Sequence, residues 1–344
     1  KKIKRNLNAL IRHMAKKYDV YGIGNALVDI DFEVSQDFLS DHNIKKGLMT
    51  LVDEETQTRL IKAIDGKNTE KKSGGSAANT VMAVSQFGGS AFYSCKVADD
   101  EFGQFYLNDL TEAGIATNLD GKTKEHGITG KCLVMITDDA DRTMNTFLGI
   151  TTSLSTSEVS EEAIQNSEYI YLEGYLVASP TAFEAMKLTK QLAEKNGVKT
   201  SITLSDPSIV EGFKGLFHEV IGDGVDLLFC NEDEALKFTD SSNINVAREE
   251  LKKFAKKFVI TQGKNGAMIF DGDTFIDIEP YQVNTVDTNG AGDMFAGAFL
   301  YGITNGHSYA GSGKLASLAS SKIVSQYGPR LPMKSIKEIQ NQIS

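Results

Sequence analysis

Short, almost wholly apolar runs alternate along this chain with stretches in which apolar residues return every three or four positions. Residues 18–22, 91–96, 169–172, 200–204, 227–230 and 258–261 have the length and character of strands buried on both faces. Residues 76–87, 101–112, 181–196, 245–256 and 294–301 carry the helical period. This order predicts an α/β fold with a mostly parallel sheet and helices on both faces. Two stretches break the rhythm. In 27–51, Val28, Ile30, Phe32 and Val34 alternate with Asp29, Asp31 and Glu33, the mark of a half-buried strand. In 122–148, the strand-like 131–137 and 143–148 have no helix between them. Both read as inserts that build a small antiparallel patch, a lid over the carboxyl ends of the parallel strands, where open α/β sheets bind ligands.

The expected organisation is a large α/β domain from 18–26, 52–121 and 149–344, a discontinuous β lid from 27–51 and 122–148, and an N-terminal extension at 1–17. That extension is basic, with Ile3, Leu7, Leu10, Ile11 and Met14 at helical spacing, and reads as a short helix on the main domain.

A chain of 344 residues can bury a large core, and its net charge of −10 counts against a nucleic-acid surface, which needs a basic stripe. Cys95, Cys132 and Cys230 are too scattered for a disulfide framework or a zinc site and fit a reducing cytoplasm. No apolar run approaches the roughly 20 residues that cross a bilayer. The expectation is therefore a cytoplasmic protein with a small-molecule partner, no nucleic acid and no membrane. It would be a monomer or a homodimer, the lid edges being able to pair between subunits.

The chemistry concentrates at residues 287–293, Asp-Thr-Asn-Gly-Ala-Gly-Asp, which run straight into an apolar helix. First-turn amides lack intrahelical partners and carry the positive end of the helix dipole, so they suit an anion. Gly290 and Gly292 let that backbone approach a ligand, and Asp293 beside them could take a proton from an attacking hydroxyl. A first-turn Asp can equally be a mere cap. Two commoner nucleotide motifs are only mimicked. Gly22-Ile23-Gly24-Asn25-Ala26-Leu27 lacks the third glycine and the following helix of a dinucleotide fingerprint, and Gly311-Ser312-Gly313-Lys314 lacks the P-loop's hydroxyl residue and upstream glycine.

Three further clusters stand at predicted strand ends or helix starts: Ser73-Gly74-Gly75-Ser76-Ala77-Ala78-Asn79-Thr80, Asn231-Glu232-Asp233-Glu234 and Thr261-Gln262-Gly263-Lys264-Asn265-Gly266. Locally these are a turn with an N-cap, an acidic helix start that could organise a hydrated magnesium ion, and a hairpin loop.

In this order the motifs closely resemble the PfkB family of carbohydrate and nucleoside kinases over about residues 18–332. The resemblance implies a ribokinase-like three-layer αβα fold with a small β-sheet lid, and a kinase that uses ATP with Mg2+. It implies Asp293 as catalytic base, with the amides of Gly290, Ala291 and Gly292 as an anion hole for the transferring phosphoryl. Asn231 and Glu234 match the pair that orders magnesium and phosphate through water, and Thr261, Gly263 and Gly266 match the ATP loop. Asp287 and the carbonyl of Asn289 match positions that hold a monovalent cation such as K+ in some members. On the acceptor side, Asn25, Asp29, Gly74, Gly75, Ser76 and Asn79 match sugar-binding and hinge positions, with Asp29 taking two adjacent hydroxyls. Arg142 is placed to swing onto phosphate, or else is a solvated arginine in the acidic turn 138–141. Within the family the phrases are most similar to those of adenosine kinases, with Tyr175 against the purine and Phe147 as further apolar wall. That implies phosphorylation of adenosine to AMP, the alternatives being a ribose or fructose kinase and a non-catalytic nucleotide sensor.

Overall fold

A computed structural model describes residues 16–47, 49–64, 71–121, 125–139 and 142–343. Residues 1–15 of the expected N-terminal helix and half of the acidic turn 138–141 lie outside the described residues.

Among these, the strands are β1 (Tyr18–Ile23), β2 (Leu27–Glu33), β3 (Met49–Leu51), β4 (Lys71–Gly74), β5 (Ala91–Ser94), β6 (Ala116–Thr117), β7 (Thr129–Ile136), β8 (Arg142–Gly149), β9 (Ser167–Leu172), β10 (Lys199–Thr203), β11 (Leu227–Asn231), β12 (Phe258–Thr261), β13 (Ala267–Phe270) and β14 (Phe275–Ile278). The larger sheet has the order β14-β13-β12-β11-β10-β9-β1-β5-β6. It is parallel from β12 to β6, and β13 and β14 close it as antiparallel hairpins.

Its strands read as continuous apolar runs because both faces are covered. Val20, Tyr171, Phe229 and Val259 pack on one side with the helices Ser76–Gln86, Ala291–Thr304 and Tyr309–Ile323. The alternate residues Tyr21, Ile170, Leu228 and Ile260 pack on the other, with Pro180–Lys195, Pro207–Ile221 and Glu232–Thr239. The result is the three-layer αβα arrangement. Gly311 to Lys314 sit inside Tyr309–Ile323, whose N-cap is Ser308, so the P-loop mimic is ordinary helix.

The smaller sheet, β3-β8-β7-β2-β4, departs from the expected antiparallel patch. β7 and β8 form an antiparallel hairpin and β4 runs antiparallel to β2, but β2 lies parallel to β7 and β3 parallel to β8. The reason is topological: β2 follows β1 and β7 follows β6, so both strands leave the same end of the larger sheet and head the same way. The first insert also runs beyond residue 51. The helix Glu54–Ala63 lies against this sheet, the Gln57 side chain donating to the Lys131 carbonyl at 2.9 Å, and Lys71–Gly74 is an edge strand. Glu54–Ala63 and Lys71–Gly74, expected in the large domain, therefore pack with the small sheet.

Candidate active site

Five parallel strands, β1 and β9 to β12, each deliver a polar residue to one place. Asn25 follows β1, Glu173 follows β9, Ser205 follows β10, Asn231 ends β11 and Thr261 ends β12, and all of them line a cavity of about 580 Å³ between the two sheets. This is where an open α/β sheet exposes free strand ends. The size suits a small-molecule ligand.

At the floor, Gly290 adopts φ 74° and caps the helix Ala291–Thr304. A side chain there would run into the Pro329 ring, so the turn needs glycine. Among the described residues the amides of Gly290 and Gly292 make no hydrogen bond, whereas the Ala291 amide donates to the Thr288 carbonyl at 3.3 Å. Two of the three expected anion-hole donors are thus open.

Asp293, in the first turn, is no simple cap. It accepts a hydrogen bond from the Ser76 hydroxyl at 2.7 Å and one from the Asn79 side-chain amide at 3.1 Å. Burial pushes its carboxyl up to about 6, against the opposing pull of those two donors. Ser76 and Asn79, expected to touch the sugar, line the cavity and bond Asp293.

Their helix is entered through Gly75 at φ 106°, where a side chain would strike the Asn25 carbonyl. Asn25 is itself fixed: its amide nitrogen donates to Glu173 at 2.7 Å and its amide oxygen accepts from Thr151 at 3.1 Å. Glu173, absent from the sequence reading, is 1% exposed and also accepts the backbone amides of Asn25 at 3.2 Å and Ala77 at 2.9 Å. Burial raises it to about 7.

Asp29, from β2, faces the cavity, and its carboxylate lies against Gly74, where a side chain would strike it. No hydrogen bond reaches its carboxylate among the described residues. Burial, helped by the charge of Asp31, pushes it up to about 7 against the pull of Arg330, Arg142 and Lys72. The small sheet roofs this end with Leu27, Met49, Leu51, Val134, Met144 and Leu148, and Tyr175 and Phe295 face them from the larger layer. Phe147 is not part of this wall: strand alternation turns Thr146 and Leu148 inward and Phe147 outward.

At the other end, Asn231 and Glu234 form a capping box. The Asn231 backbone and side-chain N–H groups donate to Glu234 at 3.0 and 2.7 Å, and the Glu234 amide donates back to Asn231 at 2.8 Å. Burial raises Glu234 to about 7, with Asp206, Asp233 and Asp293 adding to the shift. Thr261 lines the same end; Gly263 and Gly266 shape the turn between β12 and β13 and lie outside the wall.

Gly74, Ala291, Asp287 and Arg142 are also outside it. Arg142 is not solvated: its side chain, 9% exposed, pairs with Asp287 at 3.0 Å and Asp31 at 3.8 Å. Asp287 accepts the Asn289 amide at 3.0 Å and the Gly328 amide at 3.1 Å, so a monovalent cation at that carboxylate would share it with Arg142 and two amides. Residues 327–330 are a second feature without a sequence signal. Tyr327 lies under the Arg142 guanidinium, Gly328 binds Asp287, Pro329 backs Gly290, and Arg330 pairs with Asp109 at 2.7 Å while also bonding Ser73.

Comparison with known proteins supplies the family. The model for the pfkB family of carbohydrate kinases matches residues 47–336. The structure is similar to that of adenosine kinase from Sinorhizobium meliloti, with 34% identity, a TM-score of 0.85 and coverage of 95% of this chain and 100% of that one. A probable sugar kinase from Rhizobium etli CFN 42 is as similar, with 35% identity, a TM-score of 0.85 and coverage of 95% and 98%. The adenosine kinase of Saccharomyces cerevisiae is 26% identical over 91% of this chain and 97% of its own length.

Proposed function

Because the chain belongs to the pfkB family of carbohydrate kinases, and so is a phosphotransferase, we propose that it moves the γ-phosphoryl group of ATP onto the primary hydroxyl of a ribose-bearing nucleoside, adenosine first among them. The observation that carries this reading is the pairing of an unbonded, half-buried carboxylate with an apolar roof. Asp29 offers two oxygens to adjacent hydroxyls. Beside it Met49 and Leu51 stand 49% and 59% exposed. A free sugar would desolvate its hydroxyls against that roof, whereas a purine buries apolar surface there and can stack on Tyr175.

In the reaction, Asp293 takes the proton of the acceptor hydroxyl as its oxygen bonds the γ-phosphorus, and the bond from that phosphorus to the β–γ bridging oxygen breaks to release ADP. Positioning and charge stabilisation dominate such transfers, so a carboxylate suffices as base. The Gly290 and Gly292 amides and the helix dipole face the charge of the moving phosphoryl.

The residues present fit a magnesium ion carried with the triphosphate, which would neutralise charge on its oxygens. Glu234, Asp206, Asp233 and Asp293 concentrate negative charge there, and Asn231 and Glu234 are engaged by each other, so they suit contact through water. Asp287 with Asn289 is the candidate for a K+ ion, which would share the carboxylate with Arg142.

ADP release with ATP and Mg2+ across adenosine, inosine, guanosine, ribose and fructose tests the reading. Adenosine should be turned over selectively, and Asp293→Asn should lower turnover by about 10²–10⁴-fold while ATP still binds. Turnover of free sugars alone would replace the nucleoside with a sugar. ATP binding without turnover on any acceptor would leave a nucleotide sensor.

A further inference from the structure

Arg142 opens β8 on the small sheet, yet its guanidinium lies across the boundary on the large layer. There it meets Asp287 at 3.0 Å and covers the Tyr327 ring at 5.2 Å, while its second carboxylate, Asp31, belongs to the small sheet. The paired side chains of Arg142 and Asp287 are 9% and 7% exposed. Asp287 stands three residues before Gly290, and its carboxylate gathers the Asn289 and Gly328 amides, so it shapes the loop that presents the open amides.

We propose that the Arg142–Asp287 ion pair is a closure latch, fastening the small sheet over the cavity and, through the same carboxylate, holding the phosphoryl-binding loop in shape. A small sheet that swings away carries Arg142 and Asp31 together. Opening therefore breaks one pair and leaves Asp287 with two amides and no cation, while closing restores the guanidinium to it. A contact made in only one of two arrangements biases the equilibrium between them. Arg142 is on this view a positioning residue that acts on the reaction through Asp287 and the loop.

The catalytic consequence rests on the kinase reading; the latch does not, and its test needs no turnover. Hydrogen–deuterium exchange of the full chain without ligands reads it directly. Asp287→Asn, a change in the large layer, should speed exchange of the β7 and β8 amides across the boundary by about tenfold, with β9 to β11 unchanged. Arg142→Gln should match it, the double variant should add nothing, and Arg142→Lys should recover part of the protection. Unchanged exchange in β7 and β8 on Asp287→Asn, or effects that simply multiply in the double variant, would overturn the latch. If Asp287→Asn also loosens β9 to β11, the decision passes to Arg142→Gln against Arg142→Lys, and equal exchange in those two overturns it. Inactivity of the unmodified protein on every acceptor would sink the proposed function and leave the exchange result standing.

Discussion

Asp293, Glu234, Glu173 and Asp29 all hold their protons more tightly than ordinary carboxyls, at about 6, 7, 7 and 7, chiefly because burial disfavours their charged forms. As the proposed base, Asp293 would work ionised, so turnover should rise with pH through about 6. The Ser76 hydroxyl bonds the charged form of Asp293 and thereby lowers its pKa. Ser76→Ala should therefore move the acid limb of the kcat profile to higher pH with the plateau largely retained; an unmoved limb would show that Ser76 does not tune the base. Asp293 and the Asn231–Glu234 pair were legible in the sequence because each sits inside its own motif, beside the glycines or the strand end that gives it meaning. Glu173 was not. Its partner Asn25 lies 148 positions away, and nothing in Glu173-Gly174-Tyr175 distinguishes a buried network carboxylate from the end of a core strand.

The parallel strands could be read from sequence because burial on both faces leaves a continuous apolar run, and most of the expected spans are observed within a residue or two. The small sheet was harder. Lys71–Gly74 has no apolar residue, so no periodicity reveals it as a strand, and the β2–β7 pairing joins segments that only the tertiary path brings side by side. At the signature helix, the backbone is as demanding as the side chains. Gly290→Ala would need φ 74° for an L-residue and would press against Pro329, at a cost of about 1–2 kcal/mol for the backbone alone. We expect a lower Tm together with a loss of turnover larger than the stability change explains, since the open amides move with the turn. A variant with full activity would mean that the loop's conformation is not part of catalysis.

Across the whole molecule the raised carboxyls have a consequence for stability. Their folded pKa values lie above the unfolded values, so between about pH 4 and 7 the native state binds more protons than the unfolded one, and stability falls as pH rises through that window. The ligand-free protein should melt at a lower temperature at pH 7.5 than at pH 5.5; a flat or rising Tm would show that these groups titrate normally. Repulsion adds to burial within each layer, Asp31 acting on Asp29 and Asp293 acting on both Glu173 and Glu234. The segment 327–330 shows how tightly the site is tied to chain length. Its four successive residues meet Arg142 of the small sheet, Asp287, Gly290 and Ser73 of the edge strand in turn. One inserted residue there would put all four out of step at once. The surface turn at 305–307, equally close to a helix end, meets none of them, so insertions should be tolerated at the second place and purged from the first.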